Sequence, residues 1–408
     1  MSERIDAKLW DCNGISILGN PNNGAIIGLN QEGEQYVQKL LDNGGKSSDP
    51  QSNEEEMIWE EMKRLSFLDS QKTNSKLKSA YLHVTDRCNL HCVGCYSYVD
   101  HRNQNLDLTT HQMEEILEKL SKSGVEELVI SGGEPFLRPD INRILSKAKS
   151  LGMIICVISN GTLEIDHYLP VINYIDTLSI SVDGYEPGVS YIRDTGATEK
   201  ALQLANLLKE KVNVHLIFTI HKKNVGNLSK YIKTANDLGV SFNFSIFTVN
   251  PHNTAFSEYL LDESDLGVIA DAINKGDDVF IEDSVMNGRS DGIEGLRCTL
   301  GCGLGCKMIS VAADGNVYPC HMLHNSKCKM GNIINNDLSE ILSKDTVHCS
   351  DLNVERIDEC NRCEYKYFCG GGCRGRGFLY YDKLDAKDPF CVLTKKYLEQ
   401  RTEIFKQF

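Results

Sequence analysis

Residues 80–95 read Ala80-Tyr81-Leu82-His83-Val84-Thr85-Asp86-Arg87-Cys88-Asn89-Leu90-His91-Cys92-Val93-Gly94-Cys95, an apolar-rich strand candidate running straight into three cysteines. The spacing is Cys-x3-Cys-x2-Cys. Three thiolates on one loop can hold three irons of a four-iron, four-sulfide cluster and leave the fourth iron open to a chelating ligand. A zinc site short of one ligand is the plainer reading of the same residues. The place of the motif, at the end of a first strand, favours the cluster, because parallel strands carry their functional loops at their C-terminal ends.

Outward from that strand the pattern alternates. Strand candidates fall at 80–85, 127–131, 153–158, 176–182, 213–220 and 242–249, with helical segments near 110–122, 139–150, 166–173, 198–210 and 226–238. Met113, Ile116, Leu117 and Leu120 share one helical face, and Thr109 with Gln112 can form a capping box at its start. Six βα repeats with right-handed crossovers predict an α/β fold on a parallel sheet, open or curled into a partial barrel.

Three more loops fall where such a barrel needs them. Ser131-Gly132-Gly133-Glu134-Pro135 follows strand two, Ser159-Asn160-Gly161 follows strand three, and Ser181-Val182-Asp183-Gly184 ends strand four. The glycines permit close backbone approach, and Glu134, Asn160, Ser181 and Asp183 offer donors and acceptors for amino and hydroxyl groups. Singly each is an ordinary turn. Together they describe one pocket.

The three cysteines with Gly132-Gly133-Glu134-Pro135 resemble the radical S-adenosylmethionine (SAM) superfamily over residues 80–250 or so. The resemblance implies a partial (β/α)6 TIM-type barrel in which Cys88, Cys92 and Cys95 hold a 4Fe–4S cluster whose open iron chelates SAM. Reductive cleavage of SAM then gives methionine and a 5′-deoxyadenosyl radical. It also implies that Gly132, Gly133, Glu134 and Pro135 contact the SAM amino group, and that Ser159, Asn160, Ser181 and Asp183 lie on the ribose side. Arg193 stands where many relatives pair an arginine with the SAM carboxylate. The residue before the third cysteine is commonly aromatic in that family and is Gly94 here, with Tyr96 as a substitute for adenine contact.

The chain has 408 residues and sixteen cysteines, eleven of them after residue 297. With no apparent export signal at the N-terminus, so many cysteines point to metal rather than disulfides. Cys360-x2-Cys363-x5-Cys369-x3-Cys373, then Cys391, preceded by Cys302 and Cys320, resembles the SPASM domain, which houses two auxiliary 4Fe–4S clusters. By that resemblance Cys302, Cys320 and Cys373 ligate the first, with Cys306 as the fourth ligand and Cys298 as its competitor. Cys360, Cys363, Cys369 and Cys391 ligate the second, for three clusters in all. Zinc knuckles are the alternative, since Cys-x2-Cys is also zinc spacing. Cys12, Cys156, Cys328 and Cys349 are left unassigned, Cys156 reading as a small core residue in Ile154-Ile155-Cys156-Val157-Ile158.

Before the barrel, Ile15-Ser16-Ile17-Leu18 and Ala25-Ile26-Ile27-Gly28-Leu29 flank Pro21-Asn22-Asn23-Gly24 and predict a hairpin. Helices follow through Tyr36, Val37, Leu40 and Leu41, and through Met57, Ile58, Met62 and Leu65. This unit resembles the winged-helix-like recognition element of maturases that act on ribosomally synthesised peptides. The domains expected are a recognition unit and linker at 1–79, the barrel at 80–270, a bridging region at 271–297 and the SPASM domain at 298–408.

The resemblances imply a radical SAM peptide maturase that recognises a precursor peptide through its leader and takes electrons from a donor such as flavodoxin or ferredoxin. A thioether or carbon–carbon crosslink is the product expected. A sulfatase-maturing enzyme that makes formylglycine is the alternative, although those enzymes carry Asp directly after the second SPASM cysteine, where His321 stands. A peptide epimerase and a non-catalytic iron–sulfur carrier are further alternatives, the carrier having no use for SAM-shaped loops. No side chain is singled out as a catalytic acid or base. A formal charge of −14 argues against a nucleic-acid partner. No stretch approaches the ~18 apolar residues of a membrane span, and the cytoplasm is the compartment expected.

Overall fold

The computed structural model describes residues 7–43, 50–68, 77–274, 296–343, 352–403 and 405. Most of the expected linker at 69–79, most of the bridging region at 271–297, and Cys349 lie outside the described residues.

The chain opens with β1 (Lys8–Cys12), β2 (Ile15–Gly19) and β3 (Ile26–Leu29), an antiparallel sheet in that order. The expected hairpin is β2–β3, but β1 adds a strand that the sequence reading did not include. Its turn is Asn13-Gly14, both at positive φ (55° and 80°), the geometry of a two-residue type I′ hairpin. Then come α1 (Gln31–Asp42) and α2 (Asn53–Arg64), capped by the side chains of Asn30 and Ser52. One face of the sheet, with Leu18 and Leu29, packs against Tyr36, Val37, Leu40 and Met62. The other, with Trp10, Cys12 and Ile17, packs against Val354, Ile357, Tyr367 and Phe368 of the cysteine-rich region. Lys8 pairs with Glu355 at 2.8 Å along the same seam.

The barrel follows as β4 (Ser79–Thr85), α3 (Thr110–Lys122), β5 (Glu127–Gly132), α4 (Ile141–Ser150), β6 (Ile154–Ser159), β7 (Thr177–Val182), α5 (Ala197–Leu208), β8 (Asn213–Ile220), α6 (Leu228–Leu238) and β9 (Ser241–Ile246). The Thr109/Gln112 capping box is present on α3. Neighbouring strands from β4 to β9 all pair in parallel. The helix expected near 166–173 is instead a pair of 3-10 turns, Ile165–His167 and Leu169–Tyr174. Pro170 lacks the N–H that an α-helix would tie back four residues.

After α7 (Glu263–Asn274), the cysteine-rich region rejoins the same sheet. β10 (Met308–Val311) runs parallel to β4, Met308 opposite Ser79, and β11 (Asn316–Tyr318) and β12 (Gly331–Asn332) continue it antiparallel. The nine strands run β12-β11-β10-β4-β5-β6-β7-β8-β9. α8 (Leu338–Ser343), α9 (Lys366–Cys369), α10 (Arg374–Tyr381) and α11 (Cys391–Thr402) complete the chain.

Alternate residues of each barrel strand go to opposite sides. Leu82, Val84, Leu128, Ile130, Val157, Ile180 and Leu216 enter the core under the helices. Tyr81, His83, Ser131, Cys156, Ser179, Ser181 and His215 alternate with them and take the other face. Cys156 is therefore not a core residue. It is half-buried, and its thiol lies 3.4 Å from Ser179 Oγ. Among the described residues no helix is long and apolar enough to cross a membrane.

Candidate active site

The loop after β4 carries Cys88, Cys92 and Cys95 as free thiols. Each has its own donors. Leu90 N (3.5 Å) and Asn160 Nδ2 (3.8 Å) approach Cys88 Sγ, Arg193 Nη1 approaches Cys92 Sγ (3.9 Å), and Arg102 Nη1 approaches Cys95 Sγ (3.8 Å). Burial raises the Cys92 thiol, Arg193 opposes that, and Cys95 and Cys88 add to it. Cys88 is likewise raised by burial and opposed by Arg102. The three sulfurs thus share one electrostatic neighbourhood.

Gly132 and Gly133 permit the next loop to lie on this one. A Cβ at Gly132 would sit 2.3 Å from Thr85 O, and one at Gly133 would sit 2.1 Å from Arg87 O. Gly133 N donates to Thr85 O and Glu134 N to Arg87 O, both at 2.8 Å. Glu134 is fully buried and braces the third loop, accepting from Asn160 N (2.8 Å), Ser159 Oγ (3.0 Å) and Phe136 N (3.3 Å). Burial pushes its carboxyl up to about 7 against those donors. Pro135 begins the short 3-10 turn that follows.

Of the residues expected on the ribose side, Ser181 is half-buried, while the other three are buried with internal partners. Ser159 Oγ also approaches Tyr168 OH (3.1 Å) and accepts from Gly161 N (3.0 Å). Asn160 spans from Asn89 (2.8 Å) to Thr162 (2.7 Å). Asp183 Oδ2 accepts the backbone N–H groups of Tyr191, Ile192 (2.8 Å) and Arg193 (3.3 Å), and its Oδ1 lies 3.6 Å from His221 Nε2. Burial raises the Asp183 carboxyl, but His221 and these donors bring it below the ordinary carboxylate range. Asp183 thereby positions the loop that carries Arg193. Tyr96 hydrogen-bonds Ser131 Oγ at 2.9 Å, within the pocket wall.

Beside Tyr96 the wall is a stack of rings that the sequence reading did not foresee. His321 stacks on Tyr81 (4.3 Å between centroids), His324 on Tyr318 (4.5 Å), and His83 lies against His324 (4.5 Å). His324 Nε2 is 2.7 Å from Ser310 Oγ on β10. Burial lowers all three imidazoles, His321 and His324 to about 4, so they are neutral at pH 7. His83 Nε2 is buried without a hydrogen-bond partner.

The remaining cysteines form two groups. Burial raises the Cys320 thiol, followed by Cys373 and Cys302 beside it. Burial pushes Cys360 up to about 11, with Cys391 and then Cys363 adding to it. Cys369 packs in the same cluster as Cys360 and Cys363. Cys298 packs there too, against Trp10, and so stands apart from Cys302 and Cys320. Cys306 is engaged in a disulfide. Cys328, unassigned from sequence, is a buried free thiol in the cluster of Cys302 and Cys320. Among the described residues no group of three or more such side chains closes on a single metal ion.

The pattern described as the radical SAM superfamily matches residues 82–235, and that described as an iron-sulfur cluster-binding domain, SPASM, matches 302–364. The chain carries a radical SAM domain followed by a SPASM domain. It is similar to the mycofactocin maturase MftC of Mycobacterium tuberculosis, 28% identical over 76% of this chain and 81% of that one. It is also similar to the AdoMet-dependent heme synthase of Methanosarcina barkeri, 26% identical over 76% and 94%. SuiB of Streptococcus suis, solved bound to its precursor peptide SuiA, shares the fold over 92% of this chain and 96% of that one (TM-score 0.61, 16% identity). This radical SAM protein is an enzyme, and its domain implies SAM and a 4Fe–4S cluster, with further iron–sulfur sites in the SPASM domain. The residues fit the first of these groups. Three free thiols on one loop are met by two guanidiniums, Arg102 buried and Arg193 half-buried, each with a buried nitrogen lacking a hydrogen-bond partner, Arg102 Nη2 and Arg193 Nε.

Proposed function

We propose that this radical SAM enzyme matures a ribosomally made precursor peptide, removing hydrogen from one residue so that a thioether or carbon–carbon crosslink forms. The observation that carries the reading is the N-terminal sheet, seated on the SPASM core through Trp10, Cys12 and Ile17. Among the described residues β3 pairs only with β2, and Gly28 on it is exposed. A leader segment can add a strand along Ile26–Leu29, using backbone hydrogen bonds for affinity. The similarity to MftC and the fold shared with SuiB support a peptide substrate.

The bound cluster and SAM supply a 5′-deoxyadenosyl radical. Cys88, Cys92 and Cys95 hold the cluster, Arg193 pairs with the SAM carboxylate, and the backbone at Gly132–Pro135 receives the amino group. Ser181 lines the ribose side, while Ser159, Asn160 and Asp183 hold those loops in place. Cys302, Cys320 and Cys373 hold a second cluster and Cys360, Cys363, Cys369 and Cys391 a third. Cys306 is the fourth ligand of the second. A flavodoxin or ferredoxin supplies electrons, in the reducing cytoplasm that a cysteine-rich enzyme of this kind needs.

Anaerobic co-expression with a candidate precursor peptide, sought among short reading frames next to this gene, tests the reading. A peptide mass lowered by two hydrogens, dependent on Cys88, Cys92 and Cys95, supports it. An unmodified peptide, with a tetrapyrrole consumed instead, as the heme synthase similarity allows, overturns it.

A further inference from the structure

Arg102 lies in the loop beyond the third cysteine and is 7% exposed. Its Nε donates to Asp86 O at 2.9 Å, and its Nη1 lies 3.8 Å from Cys95 Sγ. Its Nη2 is buried without a hydrogen-bond partner, and among the described residues Arg102 forms no ion pair with a carboxylate. A guanidinium stays protonated under all ordinary conditions. A buried, unpaired cation is costly enough that folded proteins nearly always match it with an anion. The Asp86 carboxylate offsets part of this charge without forming an ion pair, and the Tyr98 ring lies 5.9 Å from the guanidinium. The anion that Arg102 Nη1 reaches directly is the cluster held by Cys95.

That charge can be counted. A 4Fe–4S core of formal charge two plus, held by three thiolates, carries one net negative charge, and one added electron makes it two. We infer that Arg102 is a positioning residue for the radical SAM cluster: its guanidinium, at Cys95, favours the reduced state and so sets the reduction potential. Arg193 approaches from Cys92 and is committed to the SAM carboxylate, whereas Arg102 acts before SAM arrives. The electron enters the cluster, no bond of Arg102 changes, and its proton stays in place. The inference rests on the radical SAM domain and not on the nature of the substrate.

The test is an EPR-monitored redox titration of the reconstituted holoenzyme without SAM, comparing wild type with Arg102→Gln and Arg102→Lys. The auxiliary cysteines are left intact, and the radical SAM signal is identified by its change on adding SAM afterwards. Arg102→Gln should shift that midpoint to a more negative potential by at least 59 mV, a tenfold change in the one-electron equilibrium. Arg102→Lys, which keeps the charge, should restore most of the difference. An unchanged midpoint in Arg102→Gln with full iron content overturns the inference. So does loss of the cluster in both variants, which makes Arg102 a structural brace of the loop. If only Arg102→Gln fails to assemble, the lysine variant decides: a midpoint within 59 mV of wild type supports the charge role, and a larger shift overturns it.

Discussion

The ring of Phe247, just beyond β9, lies against the backbone of Gly94, where a Cβ would meet Phe247 Cζ at 2.3 Å. Gly94 also has φ +65°, so the position is closed to other residues twice over. Gly94 thus lets the cysteine loop lie directly on the segment that follows β9.

Gly94→Ala should therefore distort the turn between Cys92 and Cys95. The left-handed backbone alone costs about 1 kcal/mol for a non-glycine residue. Iron at the radical SAM site should fall, and the double variant with Phe247→Ala should recover part of it by removing the clash but not the strain. Iron analysis of the reconstituted variants checks this.

Asp183→Ala should weaken SAM binding at least tenfold, about 1.4 kcal/mol. It removes the acceptor of three backbone N–H groups, that of Ile192 buried, which costs about 1–3 kcal/mol when left unsatisfied, and those of Tyr191 and Arg193 part-buried, and it frees the loop of Arg193. Asp183→Asn, which keeps one oxygen for those donors, should lie nearer wild type. Equilibrium dialysis with SAM measures both, and an unchanged Kd in Asp183→Ala would show that the loop is held otherwise.

The Glu134 carboxyl stands at about 7 in the fold against an ordinary 4.5. Because the folded value is the higher, the stability it contributes is complete below pH 4.5 and is lost as pH rises through 7. The full term is on the order of 3 kcal/mol. His83, His321 and His324 act with the opposite sign, their lowered values favouring the fold above pH 6.5. The difference in Tm between wild type and Glu134→Gln isolates the carboxyl: wild type should lose ground to the variant from pH 5 to pH 8. A difference independent of pH would contradict the buried-carboxyl account.

Five of the six barrel strands were legible to within one residue, since apolar runs and glycine-marked loops are local signals, while the sixth, expected at 242–249, stops three residues earlier at Ile246. The spacing of Cys88, Cys92 and Cys95 was legible for the same reason, whereas the division of the later cysteines into two sets came only from resemblance to the SPASM domain. What the sequence hid depends on distant chain returning to a site. Arg102 looks like any loop arginine until residues 97–105 fold back on Cys95. The ring stack needs β10 beside β4, a pairing across more than two hundred residues. Cys156 sits in an apolar run that reads as core, yet the two-residue period of β6 turns it to the pocket face. β1 is the exception, because Asn13-Gly14 announces its turn locally.

Iron counting paired with SAM cleavage examines the foundation most directly. Oxygen-protected wild-type protein should hold about twelve irons, three clusters at four each, and form 5′-deoxyadenosine when reduced with SAM. A chain with Cys88, Cys92 and Cys95 all replaced by alanine should hold about eight and form none. Zinc in place of iron, or nucleoside formation that survives the triple replacement, would contradict the assignment.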